Sequence, residues 1–462
     1  MQRLLAIVSL TWKAAFRFRL FLVVAALLLI SVVGLPLLIK DDGTARGFTQ
    51  VLLTYTLGVI SALLGLSTLW LACGTLARDI EDCQIQVVAV KPIARWQIWL
   101  GKWLGIVSLN ALLLAISGGG VYALLQWRAG RLPADQQATL RNEVLVARGS
   151  AKPESREEII NQKTEERLKE RLKKYPLDKD SIEAVRKEIH EQVKAEYQIV
   201  PPSYSRDWKV DLGLASRYLH DQPIYLRVKF NSADKSPSGT FDGMWLVGVP
   251  GSQIRPWNSG VLSLAPDTFH ELRLPPNLFD EKGVITVSFF NPNDTTLLFP
   301  LEDGIEILYR EGGFALNFAR GLGIILCWMA LLAALGLAAA SFLSFPVSAF
   351  VALGVLTMVL SSGTMANAVS EGTIANYDAE KGTKGWTPAD LVVIPVFKAA
   401  LKVINLAKGF SPVDSLSTGR SITWTELGLA FSQVVLLLGG FLAVFGIVVF
   451  TRRELATAQG TQ

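Results

Sequence analysis

Residues 76–105 read LARDIEDCQIQVVAVKPIARWQIWLGKWLG. A long apolar run ends just before this stretch and another begins at its end. Between them lie charges of both signs (Arg78, Asp79, Glu81, Asp82, Lys91, Arg95, Lys102), a proline and two glycines. A polar interval of this kind, set between two stretches long enough to cross a bilayer, reads as a loop at one membrane face. Pro92 divides it. Ahead of the proline, residues 77–90 are expected to form a short helix with Asp79, Glu81 and Asp82 near its start, where the helix dipole favours acids. Pro92 ends that helix and suits the first turn of the next. Arg95, Trp96 and Trp103 then fall at the interface, where such side chains anchor a span.

The rest of the chain fits that frame. Of 462 residues, half are hydrophobic and 18% are charged, which favours a membrane protein over a soluble globule. Six stretches (20–39, 51–73, 103–125, 316–340, 346–365 and 427–450) are apolar enough and close to the ~20 residues a helix needs to span the hydrocarbon core. The first nineteen residues carry Arg3, Lys13, Arg17 and Arg19, no acid, and a helical apolar rhythm, the pattern of an amphipathic helix in the interface. The apolar stretch behind them exceeds the ~7–15 residues of a signal peptide core and is followed by no small-x-small cleavage site, so it is read as a retained span. Gly118, Gly119 and Gly120 interrupt the third span, weakening the helix while letting neighbouring backbones approach.

Residues 126–313 have another composition. The block 153–197 is charged and nearly neutral, with helical pairs such as Glu165–Lys169 and a thin apolar stripe (Leu168, Leu172, Ile182, Val185, Ile189, Val193), predicting two solvated helices broken near Tyr175–Pro176. From 203 the period changes to two. In PIYLRVKF (223–230), Ile224, Leu226, Val228 and Phe230 alternate with Tyr225, Arg227 and Lys229; ITVSFF (285–290) and GIEILYR (304–310) alternate likewise. Many short strands with Gly, Pro, Asn and Asp turns predict an antiparallel β-sandwich. Trp208, Trp245, Trp257 and Tyr204 are either its core and turn packing or the lining of a sugar-binding surface. In the later loop, 366–425, Lys398, Lys402, Asn405 and Lys408 share one helical face opposite Val393, Phe397 and Ile404, predicting an interfacial helix too short to span.

The predicted fold is thus a polytopic α-helical membrane protein of six transmembrane helices with an inserted extracytoplasmic α+β domain. Its parts are 1–125 (interfacial helix, spans one to three, loop 74–102), a charged helical segment 126–202, the β-sandwich 203–313, and spans four to six over 314–462. Six spans put both termini on one side. The basic N-terminus, Arg452–Arg453 and the cations of 78–102 make that side cytoplasmic. Lys398, Lys402, Lys408 and Arg420 then fall outside, which long loops tolerate.

Several chemistries are excluded. Cys73, Cys83 and Cys327 form neither a disulfide framework nor a zinc pattern, and His190, His220 and His270 are the only histidines. No catalytic, cofactor or metal residues are assigned. No G-x-x-x-x-G-K-[ST], G-x-S-x-G or H-E-x-x-H occurs. The net charge of +5 is small for 462 residues, and in the block 153–197 acids match bases, so no nucleic-acid face is expected. The spans hold almost no ionisable residues, against ion-coupled transport and for energy supplied from outside them.

The ordered string Ala77, Arg78, Asp79, Glu81, Asp82, then Pro92, Arg95, Trp96, then Leu100, Gly101, Lys102, Gly105 resembles the cytoplasmic loop of ABC-2-type transporter permeases. In that family an acidic coupling helix after the second span is followed by Pro-x-x-Arg and a Gly-Lys opening the third. The sequence departs from it at Cys83–Gln84, where Gly-Thr is common, and the large insert is not a general family feature. The resemblance covers the membrane part only. It implies a permease subunit of the bacterial inner membrane with no ATPase of its own, ATP being used by a separate ABC ATPase that binds the 77–90 helix. Its ATPase-coupling residues are Arg78, Asp79, Glu81, Asp82, Pro92, Arg95, Gly101 and Lys102, the acids for docking, Pro92 as the break, and Arg95 to Lys102 as the lever into the third span. It further implies a second copy or related membrane subunit as partner. The outer domain adds an alternative: an ATPase-linked assembly that transmits force to a periplasmic protein or glycan without transporting a substrate.

Overall fold

The computed structural model describes residues 2–17, 20–38, 44–82, 93–174, 179–232, 234, 236, 238–251, 255–374, 377–378, 383–384 and 387–453. The chain divides into two compact units, Met1–Val146 with Gly313–Gln462, and Ala147–Gly312.

The helices, in chain order, are α1 Gln2–Arg17, α2 Leu20–Leu38, α3 Ala45–Glu81, α4 Arg95–Ala129, α5 Ala134–Glu143, α6 Glu157–Lys174, α7 Lys179–Glu196, α8 Phe314–Ala340, α9 Phe345–Leu360, α10 Ser362–Glu371, α11 Asp390–Lys408, α12 Pro412–Ser417 and α13 Trp424–Arg452. Four of them (α3, α4, α8 and α13) are long and apolar enough to cross a membrane. The number rises to six if each bent pair, α1 with α2 and α9 with α10, makes one span; α9 and α10 meet at 56°. Residues 431–439 of α13 wind as a π-helix, a wider turn with a poorer backbone ladder.

Lipid is as apolar as leucine, so these helices gain nothing from simple hydrophobic burial and must pack by close approach. Small residues supply it. A Cβ built on Gly336 of α8 falls 2.6 Å from Ala72 Cβ on α3, and one on Gly118 of α4 falls 2.6 Å from Leu322 of α8. Gly118 and Gly120 therefore do the work expected of the glycine triplet, and α4 stays helical through all three.

The long helices overturn one local expectation. Residues 77–81 do not open a separate coupling helix; they are the last turn of α3, with Asp82 as its C-cap. At 1.5 Å per residue the 37 residues of α3 extend roughly 55 Å, nearly twice the ~30 Å hydrocarbon core. The acids thus sit at a helix C-terminus, where the dipole opposes them. Residues 83–92, the remainder of that expected helix together with Pro92, lie outside the described residues. The third apolar helix likewise begins at Arg95 rather than near 103, so Arg95, Gly101 and Lys102 are helical.

The second unit holds α6, α7 and the strands β1 Val146–Ala151, β2 Ile199–Val200, β3 Ser205–Asp211, β4 Ile224–Val228, β5 Asn231–Ser232, β6 Phe241–Gly248, β7 Trp257–Leu264, β8 His270–Leu274, β9 Val284–Phe290, β10 Leu297–Leu298 and β11 Ile305–Gly313. Two four-stranded sheets, ordered β1-β11-β4-β8 and β3-β9-β6-β7, share one core that includes Leu226, Val228, Trp245, Val247, Val287 and Phe289. Trp208 and Trp245 belong to that core, whereas Tyr204 is exposed. The alternation of β4 held on the core side only. Arg227, on the alternate side, is also buried, its guanidinium 3.9 Å from the fully buried Glu306 of β11 and 3.7 Å over the Phe269 ring. Beside them Arg148 makes a bidentate pair with Glu271 at 2.9 and 3.2 Å. Opposed charges keep this face buried despite its polar sequence. Helices α6 and α7 pack through Ile160, Leu168, Ile189 and Val193. The ion pairs Arg167–Glu196 and Arg186–Glu165 run between them. Lys194 donates to Glu302 at 2.7 Å and holds that carboxyl below its ordinary range, tying α7 to the turn before β11.

Candidate functional site: a junction of helix ends

The predicted site residues are distributed around one end of the α3, α4, α8, α9 and α13 bundle. Each helix end leaves backbone groups unpaired and carries a partial charge, positive at the N-terminus and negative at the C-terminus. Here the ends of α3, α8, α9 and α13 are each met by a side chain of opposite sign from another helix or from the chain beyond one, while the N-terminus of α4 has no side-chain cap.

Lys102 of α4 serves the C-terminal end of α3. Its ammonium donates to Asp79 Oδ2 at 2.6 Å and to the Thr75 carbonyl at 2.8 Å. The Lys102 side chain is 9% exposed and that of Asp79 35%, so the cation is the deeper partner. Asp79 is tolerated at an end that disfavours acids because this cation sits beside it.

Glu81 serves the N-terminal end of α9. Its Oε1 accepts the Phe345 amide at 2.8 Å, an acidic cap supplied from another helix, with Pro346 in the first turn. The Phe345 ring lies 4.4 Å beneath the Arg78 guanidinium and 5.1 Å edge-on from Trp70. Arg95, the first residue of α4, serves the C-terminal end of α13. Its Nη1 donates to the carbonyls of Phe450, Thr451 and Arg453 at 3.0, 2.8 and 2.8 Å. Arg453 in turn donates to the Ser341 carbonyl, just past α8, at 3.2 Å.

Gly101 contributes by absence. A Cβ there would fall 2.8 Å from Ile7 Cβ, and one on Gly105 would fall 2.7 Å from Thr11 Cβ. The Gly-x-x-x-Gly spacing thus seats α1 directly on α4, and Trp12 closes the contact by donating to Ser108 Oγ at 2.9 Å. The amphipathic α1 therefore spends its Ile7, Thr11 and Ala15 face on the protein, while Leu5 and Leu10 stay exposed.

Of the eight predicted residues, Asp79 and Lys102 meet directly, and Arg78 and Glu81 gather on Phe345. Arg95 binds a different helix end, Gly101 faces α1, Asp82 is exposed, and Pro92 is outside the described residues. Thr75, Phe345, Ser341, Arg453, Ile7 and Thr11 were not anticipated. Gly101-x-x-x-Gly105 and the Pro346 helix start were the visible signals for two of these contacts; the others are carbonyl or amide groups, which any residue supplies. Comparisons of the chain with protein-family models, curated proteins and solved structures found no match.

Proposed function

We propose that the chain is the membrane subunit of an ATP-driven transporter of the ABC-2 type, energised by a separate ATPase that docks on the polar interval after the second span. In this reading α1 lies in the interface, α2, α3, α4, α8, the α9–α10 pair and α13 are the six spans, and the two sheets form an extracytoplasmic β-sandwich. The observation that carries it is the junction. A displacement applied to residues 82–92 meets α3 at one end and α4 at the other. Through Asp79–Lys102, Glu81–Phe345 and Arg95–α13 it is passed to α9 and α13. The chain has no phosphate loop to generate that displacement itself.

This reading also reassigns the acids. Asp79 and Glu81 hold helix ends together, and the docking contact is assigned to the stretch of sequence that follows them, Asp82 and residues 83–92. The chain co-expressed with its cognate ATPase is expected to co-purify with it. Asp82→Lys and replacement of 83–90 by a Gly-Ser segment are each expected to weaken capture while the membrane unit stays folded. Unchanged capture by both variants would refute the docking assignment.

A second reading is favoured by the separate core of Ala147–Gly312: an ATPase-linked assembly whose outer domain engages a periplasmic protein or glycan, with no cargo crossing the membrane. Reconstituted with the ATPase, such an assembly hydrolyses ATP without moving solute, and a pull-down or glycan array with the 147–312 unit returns a ligand.

A further inference from the structure

Helix α11 presents three faces. It packs against α10 and against residues 431–439 of α13, and Asp390, Ile394, Ile404 and Ala407 are buried. The side opposite the lysines is the one turned toward protein: Ile404 is buried, and Val393 and Phe397 are half-buried. Val392, Val396, Val403 and Leu406 recur at steps of four, seven and three, so they share a second face. All four are between 40% and 68% exposed. Lys398, Lys402 and Asn405, at steps of four and three, form a third face beside it, and all three are exposed.

The place of the lysines along the helix fixes how it can meet a bilayer. They are the ninth and thirteenth of nineteen residues. A helix standing across the membrane would carry both to the hydrocarbon core, where a cation is costly. Lying along the surface, it puts the valine stripe among acyl chains and the ammonium groups level with the headgroups. Charge then favours one kind of headgroup. The only acid of α11, Asp390, accepts the Thr387 and Ile374 amides. Among the described residues neither Lys398 nor Lys402 makes an ion pair or hydrogen bond.

We propose that α11 lies on the membrane surface and selects anionic phospholipid. Acyl chains cover Val392, Val396, Val403 and Leu406, and the two ammonium groups hold lipid phosphates. A zwitterionic headgroup brings its own ammonium, which the lysines repel; a net negative one does not. The proposal rests on the chain lying in a membrane and is independent of ATPase docking.

The test uses the full chain without its ATPase, its native cysteines replaced and bimane attached through Val403→Cys. It is placed in phosphatidylcholine vesicles with a minor share of phosphatidylglycerol. Equal amounts of either lipid are supplied with a nitroxide near the top of the acyl chain. The phosphatidylglycerol nitroxide is expected to quench the more strongly, with a local enrichment of about fivefold for each lysine that falls in high salt. Lys398→Gln/Lys402→Gln, changes at exposed positions, should leave both lipids quenching equally. A second bimane at Leu436→Cys on α13, 61% exposed, reports independently that the chain is in the bilayer. Quenching at 436 with none at 403 puts α11 against protein or water, and overturns the proposal while the membrane reading stands. Equal quenching at 403 by the two lipids, or a preference that the double lysine variant keeps, overturns it as well.

Discussion

The Asp79–Lys102 pair makes an asymmetric prediction. Asp79→Ala leaves a nearly buried ammonium with one carbonyl partner, Thr75 O at 2.8 Å. Removing one member of a fully buried ion pair costs ~3–5 kcal/mol. Asp79 is about a third exposed, so water offsets part of this, and we set the loss at about 2–3 kcal/mol. Lys102→Met keeps the stem packed and strands a carboxylate that water already reaches. Its cost is about 1 kcal/mol, part of it the dipole repulsion now unopposed at the α3 C-terminus. The Asp79→Ala/Lys102→Met chain should lie near Lys102→Met alone, giving a coupling energy of about 2–3 kcal/mol. Equilibrium unfolding in mixed micelles, titrated with sodium dodecyl sulfate, reads all four corners of the cycle. A Lys102→Met loss equal to or above that of Asp79→Ala, or strictly additive losses, would refute the assignment of the lysine as the deeper, dependent partner.

Three further outcomes follow from single contacts. Gly105→Val places a branched side chain where Thr11 now sits, so α1 must lift. With the native cysteines replaced, a Thr11→Cys probe, 2% exposed at present, should react slowly with maleimide in the parent and at least about tenfold faster in the valine background; equal rates would show that α1 is not held there. Arg148→Met removes the bidentate partner of Glu271 in a buried sheet face and should cost about 1–3 kcal/mol, seen as lost hydrogen-exchange protection in β4 and β8, with Glu271→Leu restoring part of it; unchanged protection would refute the pairing. Asp390 accepts the amides of Thr387 and Ile374 and the Thr373 hydroxyl, contacts that hold its pKa below the ordinary value. Because the folded pKa is depressed, this tie is fully present above the ordinary carboxylate value of ~3.9 and is released only as pH falls through the lower folded value. Exchange at the Ile374 amide should stay slow down to that range, and Asp390→Asn should remove the pH dependence; release already near pH 5 would contradict the assignment.

The apolar helices were legible because a span is a local property: some twenty residues declare it without reference to anything else. The two helical stretches at 153–197 and the core-facing side of β4 were legible for the same reason, through periods of 3.6 and two. What failed depended on partners distant in the chain. The burial of Arg227 was not legible because alternation cannot reveal that Glu306 lies across the sheet from it. The end of α3 was misplaced because Arg78–Asp82 read as the close of an apolar run. The helix continues through them on contacts made by Lys102, 23 residues on, and by Phe345, 264 residues on.

The same physics bears on how a docking site is recognised. Charges at a membrane face have two competing uses. They can engage a partner chain, or they can neutralise the unpaired ends of helices that stop at that level. Residue type and spacing are alike in the two cases, so a string such as Arg78, Asp79, Glu81, Asp82 cannot be apportioned from sequence. The apportioning criterion is whether an internal helix end already uses the charge. Asp79, Glu81, Arg95 and Lys102 meet that criterion. A partner that pulled on them would first have to break the contacts by which its pull is transmitted. A coupling surface is therefore better placed beside the stitched residues than on them. Under the proposed docking reading, Asp79 and Glu81 act by holding α3 to α4 and α9 rather than by touching the ATPase.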